Sequence, residues 1–114
     1  MTDLLQDLYE IVEQRKAARE EGSYTVYLFD AGLDKILKKL GEECAETIIA
    51  AKNLQAGKEA GPEARDALTN EAGDLLYHYI VMLNELGVRP EEVEEIIRGR
   101  MKKTGNLKPS LKSD

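Results

Sequence analysis

The chain has 114 residues, enough for one domain of ordinary size with one modest core. Hydrophobic residues make up 42% and charged residues 33%, Trp is absent and Phe29 is the sole phenylalanine, so the core must be mostly Leu, Ile, Val and Ala. A net charge of −6 argues against broad nucleic-acid binding, a single cysteine excludes an internal disulfide framework, and no leader or apolar run of about 18 residues suggests secretion or a membrane span.

The pattern is helical with short breaks. Thr2 and Asp3 are placed to cap a first helix, in which Leu4, Leu5, Leu8, Ile11 and Val12 recur at helical spacing, and Gly22-Ser23 ends it. Tyr24-Thr25-Val26-Tyr27-Leu28-Phe29 is β-prone, but one short strand has no partner here, so the segment is expected to be an ordered connection. A long helix is predicted over 33–56. Its apolar set is Leu33, Ile36, Leu37, Leu40, Cys44, Thr47, Ile48 and Ala51, which places Cys44 in packing. Gly57, Gly61 and Pro62 break the chain, and Pro62 suits the first turn of another helix.

That helix is predicted over 63–85, with Gly87 as its stop. Its centre, Leu75 to Leu83, is apolar nearly all round, so a partner chain is expected to supply part of its cover. Pro90 opens a last helix with Val93, Ile96, Ile97 and Met101 as its stripe. The expected fold is an all-α helical bundle on a long antiparallel hairpin. Residues 1–103 form the domain. Residues 104–114 form a flexible tail within a basic segment, since 98–114 carry 6 basic side chains against 1 acidic one.

Residues 1–97 carry 10 basic and 21 acidic side chains, and clustered carboxylates of this kind suit hard divalent cations. With Glu42 set at 0° on the helical wheel, Glu46 falls at about 40°, Glu43 at about 100°, and the apolar set at about 120–240°. Taken alone, that helix could be a solvated face, with lysines beside acids contributing about 0.3–0.5 kcal/mol per pair. Glu71 and Asp74, three residues apart, lead into the most apolar segment of the chain, where an unpartnered carboxylate is costly. Glu46 lies about 15 Å before Ala56 and Glu71 about 13.5 Å after Pro62, so a hairpin brings both to one height. Carboxylates converging there would repel unless a cation intervened, and Mg²⁺ is the natural choice.

The pattern Glu-Glu-x-x-Glu at 42–46, 24 residues, then Glu-x-x-Asp at 71–74 resembles the MazG-type all-α nucleotide pyrophosphohydrolases. Within that superfamily, Ser23 to Phe29, Gly32 to Lys39, Gly41-Glu42-Glu43, Ile49 to Asn53 and Asp74 to His78 resemble the phosphoribosyl-ATP pyrophosphatase family of histidine biosynthesis. The resemblance covers about residues 1–98. It implies Mg²⁺ dependence and a homodimer that completes the bundle, while the single cysteine and the absence of a leader-like or spanning segment fit a reducing cytoplasm. It also implies hydrolysis of 1-(5-phosphoribosyl)-ATP between the α and β phosphates, giving 1-(5-phosphoribosyl)-AMP and pyrophosphate. Carried over residue by residue, Glu43, Glu46, Glu71 and Asp74 are the expected metal ligands, and Glu42 and Glu43 the expected catalytic acids, with Glu42 a ligand, an outer group or the base. The 57–66 loop is longer than in compact relatives, and no cyclohydrolase domain is evident, so a stand-alone form is expected.

Lys35 and Lys39 could hold phosphate, Lys52 and Asn53 could meet ribose or phosphate, and Tyr24 could line a purine pocket; each also has an ordinary packing or pairing role. His78 is the lone histidine, either a satisfied core group or a catalytic one, and not a primary Mg²⁺ ligand. Two other functions share these residues: a house-cleaning NTP or dNTP pyrophosphohydrolase, and a helical dimerisation module whose acids only confer solubility.

Overall fold

The computed structural model describes residues 3–57 and 61–102. Five helices follow one another: α1 (Leu4–Ala18), α2 (Tyr24–Ala31), α3 (Leu33–Ala56), α4 (Pro62–Leu86) and α5 (Pro90–Met101). Among the described residues there is no strand, and the class is all-α. No described helix is long and apolar enough to cross a membrane. The basic tail 104–114 and loop residues 58–60 lie outside the described residues.

The helix ends are set by local chemistry. Asp3 caps α1, its carboxylate accepting from the Leu5 and Gln6 amides at 3.0 and 3.2 Å. The helix stops earlier than Gly22 suggested, at Arg19, which adopts a left-handed φ of 52° and closes the last turn onto the Arg15 carbonyl. Gly57 and Gly87 end α3 and α4 in the left-handed region, where a side chain would be strained. Pro62 and Pro90 open α4 and α5, where a missing amide hydrogen costs nothing.

The 24–29 segment corrects the expectation of a connection, because it is the body of α2. Ser23 Oγ accepts from the Val26 amide at 3.2 Å, which starts the helix. Thr25 and Leu28, at 2% and 0% exposure, are buried on one face. Tertiary burial of that face outweighs the β preference of Thr, Val, Tyr and Phe.

Helices α3 and α4 form the antiparallel hairpin and make the most extensive contact. α1 lies on α4, α2 links α1 to α3, and α5 rests on α1. The core is Tyr9 and Val12 of α1, Leu28 of α2, Ile36 of α3, and Ile80, Val81 and Leu83 of α4. A fully buried aliphatic side chain of this kind contributes about 1.5–3 kcal/mol by leaving water. Asn84, also buried, is satisfied by donating to Glu13 at 2.8 Å and accepting from Lys16 at 3.2 Å, which ties α4 to α1.

A second correction concerns α3. The side it turns to α4 runs through Ile36, Glu43, Thr47 and Ala50, about a fifth of a turn from the centre of the expected apolar stripe. Leu37, Ile48 and Cys44 are exposed instead, so Cys44 is not a packing residue within the chain. The rotation has a chemical consequence, since it carries Glu43 into the α3–α4 seam.

Candidate metal centre

Glu43, Glu46 and Glu71 each bring a carboxylate oxygen into one group, all within 4.8 Å of one another. Glu43 is buried, Glu71 half-buried and Glu46 exposed, so the cluster runs from the seam outward to solvent. The helices are locked together at this height by Thr47. Its Oγ1 lies 2.7 Å from the Glu43 carbonyl and 3.3 Å from the Glu71 carbonyl and shares its proton between them.

The electrostatics are those of crowded acids, only partly offset by the contact of Glu46 with Glu71. Burial pushes the Glu71 carboxyl above the usual carboxylate range, and the contact and charge of Glu43 and the charge of Asp74 add to the rise. Among the described residues, Glu43 Oε2 and Glu71 Oε1 are buried with no hydrogen-bond partner. A buried carboxylate oxygen left this way costs free energy that a cation would recover. The donor set is oxygen alone, with no imidazole or thiolate in the group, and it fits a hard divalent ion.

The other expected residues lie around this cluster rather than in it. Glu42 is exposed and paired with Lys39 at 3.2 Å, and that contact holds its carboxyl below the usual range. Asp74 is exposed and outside the three-residue group, though close enough for its charge to act on Glu71. Asn53 lines a cleft of about 200 Å³ with Glu46, Ile49, Ala50, Ala64, Ala67 and Glu71, so it does meet the site. Lys52 points to solvent and donates to Gln55 at 3.3 Å. Lys35 lies 5.9 Å from the centre of the Tyr27 ring.

Tyr24 and His78 are a pair that sequence reasoning did not join. Tyr24 Oη is 2.8 Å from His78 Nε2, and His78 Nδ1 is 2.7 Å from the Asp74 carbonyl. The signal was hidden because residue 24 was expected to lie in an ordered connection, with no defined height against α4.

The model for the family described as phosphoribosyl-ATP pyrophosphohydrolase matches residues 5–101, nearly all of the described chain. This chain belongs to that family. The phosphoribosyl-ATP pyrophosphatase of Streptococcus thermophilus is 48% identical over 104 residues, 91% of each chain. The enzyme of that name from Lactiplantibacillus plantarum is 45% identical over 111 residues, 96% of each chain. The histidine biosynthesis bifunctional protein HisIE of Thermoanaerobacter pseudethanolicus is 45% identical over 92 residues, 81% of this chain and 38% of that protein. The phosphoribosyl-ATP pyrophosphohydrolase family thus includes chains of this length and segments of longer ones.

Proposed function

We propose that this chain hydrolyses 1-(5-phosphoribosyl)-ATP to 1-(5-phosphoribosyl)-AMP and pyrophosphate, in histidine biosynthesis, with Mg²⁺ held by Glu43, Glu46 and Glu71. The observation that carries the reading is the convergence of three carboxylates with two orphaned buried oxygens, in a chain of this family. Asp74, one turn beyond Glu71 on α4, is the fourth proposed ligand from the open side. Bound there, Mg²⁺ would neutralise phosphate charge and polarise the phosphorus–oxygen bonds of the triphosphate.

The chain's own groups divide the remaining work. Glu43, from the buried wall, and Glu42, on the rim, are the proposed catalytic acids. Lys39 keeps Glu42 ionised, so Glu42 is suited to accept a hydrogen bond from the attacking water and orient it. Lys35 and Lys39 are the proposed phosphate-binding cations on α3, with Lys52 further along the same helix. Asn53, in the cleft beside Glu46, is proposed to meet ribose or phosphate, and Tyr24, which lines a different cleft with Ser23 and Tyr77, to meet the nucleoside.

A homodimer is part of the same reading. Leu37, Cys44, Ile48 and Ala51 recur along one exposed edge of α3, and Ile48 is 64% exposed. An apolar stripe of this length is suited to a second copy of the hairpin. A cytoplasmic location is proposed with it, where Cys44 stays reduced.

The test is pyrophosphate release from phosphoribosyl-ATP, ATP and a dNTP panel, each with Mg²⁺ and with EDTA. Mg²⁺-dependent turnover of phosphoribosyl-ATP alone is expected. Preference for dNTPs would transfer the chain to the house-cleaning reading, and release from none of them would leave the acids as a solvated surface.

A further inference from the structure

Helix α2 is fastened to α4 by two successive side-chain pairs that run antiparallel: Tyr24 with His78, and Thr25 with Tyr77. Chemistry fixes the proton positions in the first pair. The Asp74 carbonyl, 2.7 Å from His78 Nδ1, can only accept, so Nδ1 carries the ring proton. In the neutral ring Nε2 is then bare, and Tyr24 Oη at 2.8 Å must donate to it. His78 is 5% exposed, so water does not compete for these bonds.

We infer that His78 is a positioning residue that commits the only hydroxyl proton of Tyr24, so that Tyr24 presents lone pairs and a ring face to the nucleotide and recognises a hydrogen-bond donor of its nucleoside part, not phosphate. This rests on the reading of the acid cluster as a nucleotide site. The Tyr24 ring packs against Tyr77, with centres 6.2 Å apart, and edge-on to His78, but the residue remains 44% exposed although its hydroxyl is tied, so part of the ring stays open to a ligand. Tyr27, also exposed, stacks beside it with ring centres 6.0 Å apart and planes 26° from parallel. Two exposed, near-parallel rings form a surface suited to a flat base. Burial pushes the Tyr24 phenol above its usual range, the charge of nearby Lys39 opposing the rise and that of Glu43 adding to it, so it keeps its proton and remains the donor to His78. The donor it meets is therefore a ribose hydroxyl or an exocyclic base nitrogen, and the phosphates fall to the lysines.

Because His78 is the only histidine, ¹⁵N-imidazole NMR of the full chain reads this arrangement without assignment. In mildly alkaline buffer the expected spectrum is that of the Nδ1–H tautomer, with the Nε2 signal shifted in Tyr24→Phe. An Nε2–H tautomer, or a spectrum indifferent to Tyr24→Phe, overturns the inference. In kinetics, Tyr24→Phe should raise KM for phosphoribosyl-ATP about tenfold, with kcat within about twofold and product inhibition by pyrophosphate unchanged. His78→Ala should do the same, and His78→Gln, which keeps an acceptor for Tyr24, should restore KM. Equal weakening of pyrophosphate inhibition would assign Tyr24 to phosphate and refute the donor recognition. Absence of turnover in the wild-type chain would refute the nucleotide reading and the recognition role together, while the NMR result would still report the hydrogen bonds.

Discussion

Glu43 on α3 and Glu71 on α4 face each other across the hairpin seam, each with one buried oxygen that has no hydrogen-bond partner among the described residues. Their contact and shared charge help raise the Glu71 carboxyl above its usual range. Two acids brought together at a cost to folding fit the proposed cation site better than a purely stabilising role.

Removing this conflict in the metal-free chain should stabilise it. Glu71→Gln keeps the shape and removes one charge, so in EDTA it should melt above the wild type. Mg²⁺ should raise the wild-type melting temperature and leave the variant unmoved, while activity falls by about 10²–10³-fold. Thermal melts with and without Mg²⁺ check both. A wild type indifferent to Mg²⁺ would contradict the assignment of these acids.

A different acid sets a pH dependence away from the site. Burial pushes Glu94 above the usual carboxylate range, Asp3 adds to the rise, and Gln6 and Arg98 oppose it. An acid that holds its proton more tightly when folded costs stability above its folded value, and that cost fades as pH falls toward the unfolded value. Glu94→Gln should therefore be more stable than the wild type at neutral pH, and the gap should narrow on mild acidification. Denaturation curves across that window read the sign. A gap that widened as pH fell would contradict it.

Much of the hairpin was legible because its ends are punctuated by residues with steric reasons to stop or start. Gly57, Pro62, Gly87 and Pro90 bracket α3, α4 and α5 within a residue of expectation. The meeting of Glu46 with Glu71 was legible from helical rise alone. Helix α2 was not, because Tyr24 to Phe29 favour strand locally and the burial of Thr25 and Leu28 that makes them helical is a tertiary effect. Nor was the rotation of α3: Leu37 and Ile48 read as core, and only the packing shows that Glu43 takes the inward position.

The capping of α2 gives that correction a direct test. Ser23→Ala removes the acceptor of the Val26 amide and should cost about 1 kcal/mol in urea denaturation. It should also weaken phosphoribosyl-ATP binding, since α2 carries Tyr24. Unchanged stability would mean that α2 is held by packing alone.

The exposed edge of α3 predicts the assembly. Ile48→Glu places a charge in the middle of the stripe and should convert a dimer into a monomer in sedimentation velocity, with loss of the stability that burial there provides. A wild type that sediments as a monomer, or a variant that remains a dimer, would contradict the use of this face.

The most direct measurement is ³¹P NMR of phosphoribosyl-ATP incubated with the full chain and Mg²⁺, beside Glu46→Gln. In the wild type the triphosphate signals should give way to pyrophosphate and a new phosphomonoester, and in the variant they should persist. Release of orthophosphate with a remaining diphosphate, or equal turnover by Glu46→Gln, would contradict the assignment of this cluster as the pyrophosphohydrolase site.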